Sequence, residues 1–419
     1  MKKRNIIIST FGTLGDVIPY ISIAKTLQTY GHNVILATCE VHRKLCEKNN
    51  INFKPLSPNL DISNGTLVKQ MMNSRHGERL IFEEIMRNIK ITYNELLDIT
   101  SDCDILINHC YCYAGPIVAE KRNLVWVSCH LSPTNFWSVY DPSALSNSEY
   151  LIHLPKWGFS INKFIIKMAR KQSLKWCLPL GNLRKEIGLS NNEHPVFEGL
   201  FSKYLSFALF SSEFAKPQKD WAKSCVQVGF VNSLSSSELE ESELKEFIIN
   251  KNYPLIIIAL GSSVINNSDE IYSIIEQITF KSAYKFLFIG GNSENLQSTD
   301  KIFYSNAISY RSVFKYANLI IHHGGIGTTS DAMTAGVPMI ILPQFIDQPD
   351  NAYRIKKLGI GEYIQKSKFN ANTLLKMVEK ITNDNTYYSK AKSISQKMSL
   401  DDANAIILEK INEISSNLN

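Results

Sequence analysis

Ile320-Ile321-His322-His323-Gly324-Gly325-Ile326-Gly327-Thr328-Thr329-Ser330-Asp331 is an apolar run that empties into a glycine turn and re-enters a helix. Gly324, Gly325 and Gly327 let backbone N–H groups approach an anion unshielded, and the following helix adds the positive end of its dipole. His323 can donate a ring N–H to a phosphate oxygen, and Thr328 can cap the helix or donate its hydroxyl to the same group. Asp331 lies one turn further in, where a carboxylate can accept bonds from ribose hydroxyls. A plain strand-to-helix turn explains glycines alone. Three glycines beside two histidines and paired threonines fit a diphosphate cradle better. Gly336-Val337-Pro338 and then Asp347-Gln348 follow at short intervals.

Outward from this stretch, short β-branched runs alternate with amphipathic segments, the pattern of doubly wound parallel sheets. In the second half, strands are predicted over 255–260, 284–289, 319–321 and 339–342, the first of them delivering Gly261-Ser262-Ser263. In the first half, residues 4–9 read as a strand, 10–16 as a glycine-bearing loop, and 17–30 as a helix with Pro19 in its first turn and Gly31 at its end. Strands over 34–38, 104–108 and 124–128 follow, with a helix over 114–121. At 419 residues the chain exceeds the size at which one core keeps growing, so two domains are expected. The expected fold class is α/β, with two Rossmann-like domains and parallel sheets facing a central cleft. The expected boundaries are 1–232 for an acceptor domain, 233–253 for a Ser/Glu-rich linker, 254–400 for a donor domain, and 401–419 for a closing helix. No repeat of 20 to 50 residues is visible.

The glycine block resembles the donor-binding signature of the nucleotide-sugar glycosyltransferases, the large family that includes plant and antibiotic glucosyltransferases. The resemblance reaches both ends of the chain and implies the GT-B architecture, with the closing helix crossing back to the first domain. Carried over residue by residue, it assigns His323, Gly325, Gly327 and Thr328 to the diphosphate, Asp331 to the ribose, and Asp347 with Gln348 to sugar hydroxyls. Ser262 or Ser263 would touch the donor phosphate or sugar. Where plant members stack a tryptophan on the base, this chain has Ala307-Ile308-Ser309-Tyr310-Arg311, so the backbone of Ile308 is the expected base contact and uracil versus thymine stays open. Gly15-Asp16-Val17, Ser132-Pro133, Glu186-Ile187-Gly188-Leu189 and the segment from Phe214 to Trp221 look closest to the bacterial lipid-modifying, rhamnolipid-type branch and to sterol and antibiotic enzymes.

Family members carry their base in the first loop, here Ser9-Thr10-Phe11-Gly12-Thr13-Leu14-Gly15-Asp16. Asp16 stands where many relatives have histidine and is the candidate general base. A carboxylate at the mouth of a dry cleft can have its pKa raised toward a useful value. Its bland alternative is to cap the helix beginning at Val17. Gly12 and Thr13 belong to the acceptor loop, Gly12 and Gly15 admitting substrate. Where relatives place a helper carboxylate, this chain has Asn108-His109, and His109 is a candidate partner of Asp16.

The implied activity is inverting and metal-independent: transfer of a hexose from a UDP- or dTDP-sugar to a hydroxyl of a small apolar or lipid-like acceptor. The sugar nucleotide is a co-substrate, and no cofactor is expected. A nucleotide-sugar epimerase or hydrolase, or a catalytically silent partner protein, are the rivals. The cluster His109-Cys110-Tyr111-Cys112 with Cys129-His130 lacks the spacing of common zinc modules, so no metal site is expected.

With 45 basic against 39 acidic residues the net charge is only +6, which carries no nucleic-acid footprint. Eight scattered cysteines without a secretory leader fit cytoplasmic residence with free thiols, as a monomer or homodimer. No apolar run reaches the roughly twenty residues of a membrane span. Residues 159–171 interleave Ile165, Ile166 and Met168 with Lys163, Lys167, Arg170 and Lys171. They read either as a solvated helix or as a basic, apolar flap for peripheral membrane contact or a greasy acceptor.

Overall fold

The computed structural model describes residues 2–59, 77–144, 153, 156–231, 242–259, 268–290, 297–305, 308–344 and 346–418. Seven strands form the first sheet: β1 (Asn5–Ser9), β2 (Asn33–Thr38), β3 (Asn52–Pro55), β4 (Ile105–His109), β5 (Val125–His130), β6 (Leu205–Ala208) and β7 (Cys225–Gln227). Six form the second: β8 (Leu255–Ala259), β9 (Lys285–Ile289), β10 (Ile302–Ser305), β11 (Leu319–His322), β12 (Met339–Ile341) and β13 (Gly361–Tyr363). All the strand pairs among them are parallel. Their apolar runs explain this: Ile6, Ile8, Ile105, Ile107, Ile256, Ile257, Ile320 and Ile321 are all buried, as strands covered on both faces require.

The strand orders are β3-β2-β1-β4-β5-β6-β7 and β10-β9-β8-β11-β12-β13, the same winding twice. In each, the chain starts in the middle, runs to one edge, and returns beside its starting strand. The crevice where the winding reverses, at the carboxyl ends of the strands, is where such sheets bind ligands. It falls between β1 and β4 in one lobe, where Ser9 pairs with Asn108, and between β8 and β11 in the other, where Ala259 pairs with His322. The α/β class and the two Rossmann-like lobes expected from the sequence are what the structure has.

Packing, the last helix and an ion pair join the lobes among the described residues. Phe136, Phe210, Phe214 and Phe230 of the first pack into one apolar cluster with Val313, Phe314 and Met398 of the second. The last helix (Ala403–Ser416) returns to the first lobe, burying Ile407 and Ile411 against the core that contains Val17 and Ile21. There Arg4 donates to the carbonyls of Ser415, at 2.5 Å, and Leu418. Finally, Arg354 donates to Asp350 at 2.7 Å within its own helix and to Asp141 of the other lobe at 2.6 Å.

Candidate active site

At the first reversal point the helix Leu14–Thr29 begins three residues before the predicted start, with Thr13 as its N-cap. Asp16 is therefore inside the first turn rather than ahead of it. Its Oδ2 accepts from the Thr13 amide at 2.8 Å and from the Thr13 hydroxyl at 2.9 Å, the carboxylate half of a capping box. Gly12 has φ +127°, and a Cβ there would lie 2.5 Å from Asp16 Oδ2. Its lack of a side chain leaves room for the carboxylate. His42 holds the same loop, its Nε2 2.9 Å from the Gly12 carbonyl. Pro19 lies inside this helix and has no N–H to offer the Gly15 carbonyl.

His109, at the end of β4, is fully packed between Tyr20 and Tyr111. Its Nδ1 is 3.2 Å from the Thr10 hydroxyl. Burial lowers its pKa to about 4, against the opposing pull of the Asp16 charge, so the ring is neutral at pH 7. No hydrogen bond joins it to Asp16 among the described residues; the two interact through space. Asn108 has a structural task, accepting from Ser9 Oγ at 2.7 Å and donating to the His109 carbonyl at 2.9 Å. Cys110, Cys112 and Cys129 are buried, and among the described residues no group of three or more His, Cys, Asp or Glu side chains is arranged to hold a metal ion.

At the second reversal point the two histidines divide the work. His322 is sealed in the core, its Nδ1 accepting from the Gly324 amide at 3.1 Å, and so shapes the turn from beneath. His323 faces the turn: a Cβ on Gly325 would stand 2.6 Å from its Nε2. Burial lowers its pKa to about 4, against the opposing pull of a backbone hydrogen bond to Ala259. Gly324 takes φ +92°, with Ile341 Cγ2 where a Cβ would go, so only glycine fits. The helix Ile326–Ala335 opens at Gly325. The amides of Ile326, Gly327 and Thr328 have no intrahelical acceptor, and none of the described residues takes them. Thr329 is spent locally, its hydroxyl on the Gly325 carbonyl at 2.9 Å.

Asp331 receives the Arg311 guanidinium at 2.8 Å, so a ribose there would share the carboxylate with an ion pair. Burial raises its pKa, with Arg311 opposing. Ile308 lies just past β10 at the carboxyl edge of the sheet, half-buried. Ser262 and Ser263 lie outside the described residues. Asp347 stands at the N-cap position of the helix Gln348–Leu358 without a side-chain cap bond, preceded by Ile346 in the left-handed region at φ +57°, an unfavourable conformation for a β-branched residue. The Gln348 Oε1 accepts from the Gln344 amide at 2.9 Å.

The two lobes meet at these loops. A Cβ on Gly327 would stand 3.8 Å from the Cα of Gly15 and 4.0 Å from its carbonyl oxygen. The Asp347 carboxyl is pushed up to about 7, chiefly by burial and further by the charge of Asp16. Two residues here escaped the sequence reading. Asn351 donates both to Asp347 Oδ2 and to the Gly324 carbonyl, each at 2.8 Å, and so ties the Asp347 carboxylate to the glycine turn. Tyr111, whose hydroxyl accepts from Asn135 at 3.0 Å, lies within range of the Asp347 charge. Tyr111 lies within the cysteine-rich run His109-Cys110-Tyr111-Cys112, whose thiols are the louder signal in the sequence.

Domain models match each lobe. The glycosyltransferase family 28 N-terminal domain covers residues 6–139, and the erythromycin biosynthesis protein CIII-like C-terminal domain covers 297–414. Together with the paired parallel sheets, the two matches support a nucleotide-sugar glycosyltransferase of GT-B fold. Among its relatives are the sterol 3-beta-glucosyltransferases of Leptosphaeria maculans, 24% identical over 97% of this chain, and of Debaryomyces hansenii, 27% identical over 94%. The chain spans only 28% and 26% of the length of those two proteins. Similar solved structures include the calicheamicin glycosyltransferase, with TM-score 0.73 at 15% identity over 99% of this chain and 98% of that one. The spinosyn rhamnosyltransferase complexed with thymidine diphosphate has TM-score 0.68 at 15% identity, over 98% of this chain and 100% of that one. At that identity these structures speak for the fold alone.

Proposed function

We propose that this chain transfers a hexose from a UDP- or dTDP-sugar to a hydroxyl of a small apolar or lipid-like acceptor, with inversion and without a metal ion. One observation carries the reading. Two reversal points, one bearing a carboxylate and the other unshielded amides with a neutral imidazole, touch at Gly15 and Gly327. The diphosphate lies on the amides of Ile326, Gly327 and Thr328, with His323 donating from Nε2. Asp347 and Gln348 hold the sugar, Asp331 the ribose, and the Ile308 backbone the base. Ser262 or Ser263 reaches the phosphates.

The acceptor oxygen attacks the anomeric carbon as its proton passes to Asp16, and the bond to the diphosphate oxygen breaks on the opposite face. One displacement inverts the centre. The charge that grows on the leaving diphosphate is met by fixed N–H dipoles, which cost no reorganisation during the reaction. This supplies the stabilisation that a cation would otherwise give. His109, neutral, sits beside this chemistry as a partner of Asp16 through space. The sterol relatives support an apolar or lipid acceptor.

A thermal-shift panel of UDP, dTDP and GDP, free and sugar-linked, tests the donor half. A nucleotide at a hundred times its dissociation constant should stabilise the chain by about 2.7 kcal/mol. Silence from every nucleotide ends the proposal. Donor turnover that no acceptor hydroxyl accelerates would point instead to a hydrolase.

A further inference from the structure

The helix Phe159–Trp176 is built inside out. Its buried positions are the polar Asn162 and Ser173, and Ser173 faces His194 at 3.4 Å. Ile166 packs on the core and Trp176 on Phe82, but five large apolar side chains point to solvent: Phe164 is 63% exposed and Met168 51%, and Ile161, Leu174 and Phe159 are exposed with them. At about 100° per residue, Ile161, Phe164, Met168, Lys171 and Lys175 fall in one stripe, and Lys163 and Lys167 flank it. The helix carries five cations and no acidic residue. Arg170 is paired with Glu198. Among the described residues none of the four lysines has an ion pair. Trp157 stands exposed beside the first turn, and Tyr140 lies against Phe159 at 5.3 Å.

We propose that this face seats the protein on a bilayer that contains anionic lipid. The chemistry fits on each count. The apolar stripe supplies area to bury at the acyl boundary, Trp157 and Tyr140 have the amphipathic rings that favour that depth, and the unpaired lysines meet the headgroup charge. A second copy of the chain is a worse occupant, since a two-fold contact would set four lysines against the same four. The inference goes beyond sugar transfer, because docking requires no catalysis. The face lies on the acceptor lobe: Trp176 and Tyr113 flank Phe82, and Tyr113 follows the loop that leaves β4. A seated molecule would therefore present its first-lobe loops to the membrane.

Co-sedimentation of the full chain with phosphatidylcholine vesicles, with and without phosphatidylglycerol, is the test. Binding should be at least about tenfold stronger to the anionic vesicles at low salt, since each cation near such a surface contributes roughly fivefold. It should weaken as salt is raised. Phe164→Ser with Met168→Ser should reduce it by about tenfold or more. Lys163→Gln, Lys167→Gln and Lys171→Gln together should remove the preference for anionic lipid while the weak binding to neutral vesicles persists. Thermal midpoints and nucleotide-induced shifts should be unchanged in both variants, which separates lost docking from lost folding. Equal binding to both vesicles, or a Phe164/Met168 variant that still sediments, overturns the proposal. So does a dimer that the same variants dissociate in the absence of lipid, which would assign the face to a second copy.

Discussion

Gly12 is the space in which the Asp16 carboxylate sits. With φ at +127° and Asp16 Oδ2 only 2.5 Å from where a Cβ would be, a side chain there both strains the loop and evicts the carboxylate from its two bonds to Thr13. Gly12→Ala should lower kcat at least about tenfold with donor KM within about twofold, because positioned proton transfer contributes roughly 10²–10⁴. Asp16→Asn should cost that whole factor. Steady-state kinetics with isothermal titration of the donor decides it; full kcat in either variant would remove Asp16 from the role of base.

His323 and Gly325 make the same argument on the donor side. The imidazole fills the volume that a Gly325 side chain would need. His323→Ala removes one hydrogen bond to a charged oxygen, worth about 1.5–3 kcal/mol, or roughly 10- to 150-fold in affinity for the diphosphate. Gly325→Ala should weaken it similarly by displacing the ring. His322→Ala should act differently, lowering the thermal midpoint first, because its ring supports the turn from below. Equal affinity of UDP or dTDP for wild type and His323→Ala would sink the donor assignment.

Much of this was legible in advance. The β11 turn, the first strand and its loop, and the closing helix are set by local signals: apolar runs of four to six residues, glycines and caps. Strands β3, β6, β7, β10 and β13 carried too little pattern to mark. Cys225–Gln227 is three residues long and Leu205–Ala208 four, and neither alternates. Their pairing is a long-range event. The site was legible as residue types and not as partners. Nothing near Asp331 in sequence says that Arg311, twenty residues back, will bond it, nor that His322 will face inward while His323 faces out. In the sequence Gly12 suggests open access for substrate, and its neighbour four residues on, Asp16, supplies the nearer reason.

Arg354 is the clasp between lobes. It is buried with Asp350 beneath it and Asp141 across from it, and Asp350 also accepts from the Ala144 amide at 2.9 Å. Truncation to Arg354→Ala leaves a fully buried carboxylate without its counter-charge, a loss of about 3–5 kcal/mol for buried pairs. Asp141→Asn should cost far less, since Asp141 is partly open to water. Urea titration of both variants measures the difference. Equal losses would show that the clasp is held by packing and not by charge.

Asp347 makes both stability and donor binding depend on pH, with opposite signs. Burial, aided by the Asp16 charge and opposed by the Asn351 hydrogen bond, holds its carboxyl at about 7 in the folded chain. Unfolding returns it to an ordinary carboxylate value near 4, so between about pH 4 and 7 the native state binds the extra proton. Stability must then fall as pH rises through that window, by at most about 1.4 kcal/mol per unit, and by less because the group is only half-buried at the cleft wall. Asp347→Asn should flatten that slope and be the more stable protein at pH 8. A sugar whose hydroxyls donate to the carboxylate favours its ionised form, so the affinity for a sugar nucleotide should rise as pH climbs toward 7 and level off above it. The affinity for the nucleotide without its sugar should stay level over the same range. Asp16→Asn, by removing the facing charge, should move the midpoint of that rise to lower pH. Titration calorimetry with both ligands at several pH values reads all three effects, and a sugar nucleotide whose affinity is flat between about pH 5 and 7 would take Asp347 out of the sugar subsite.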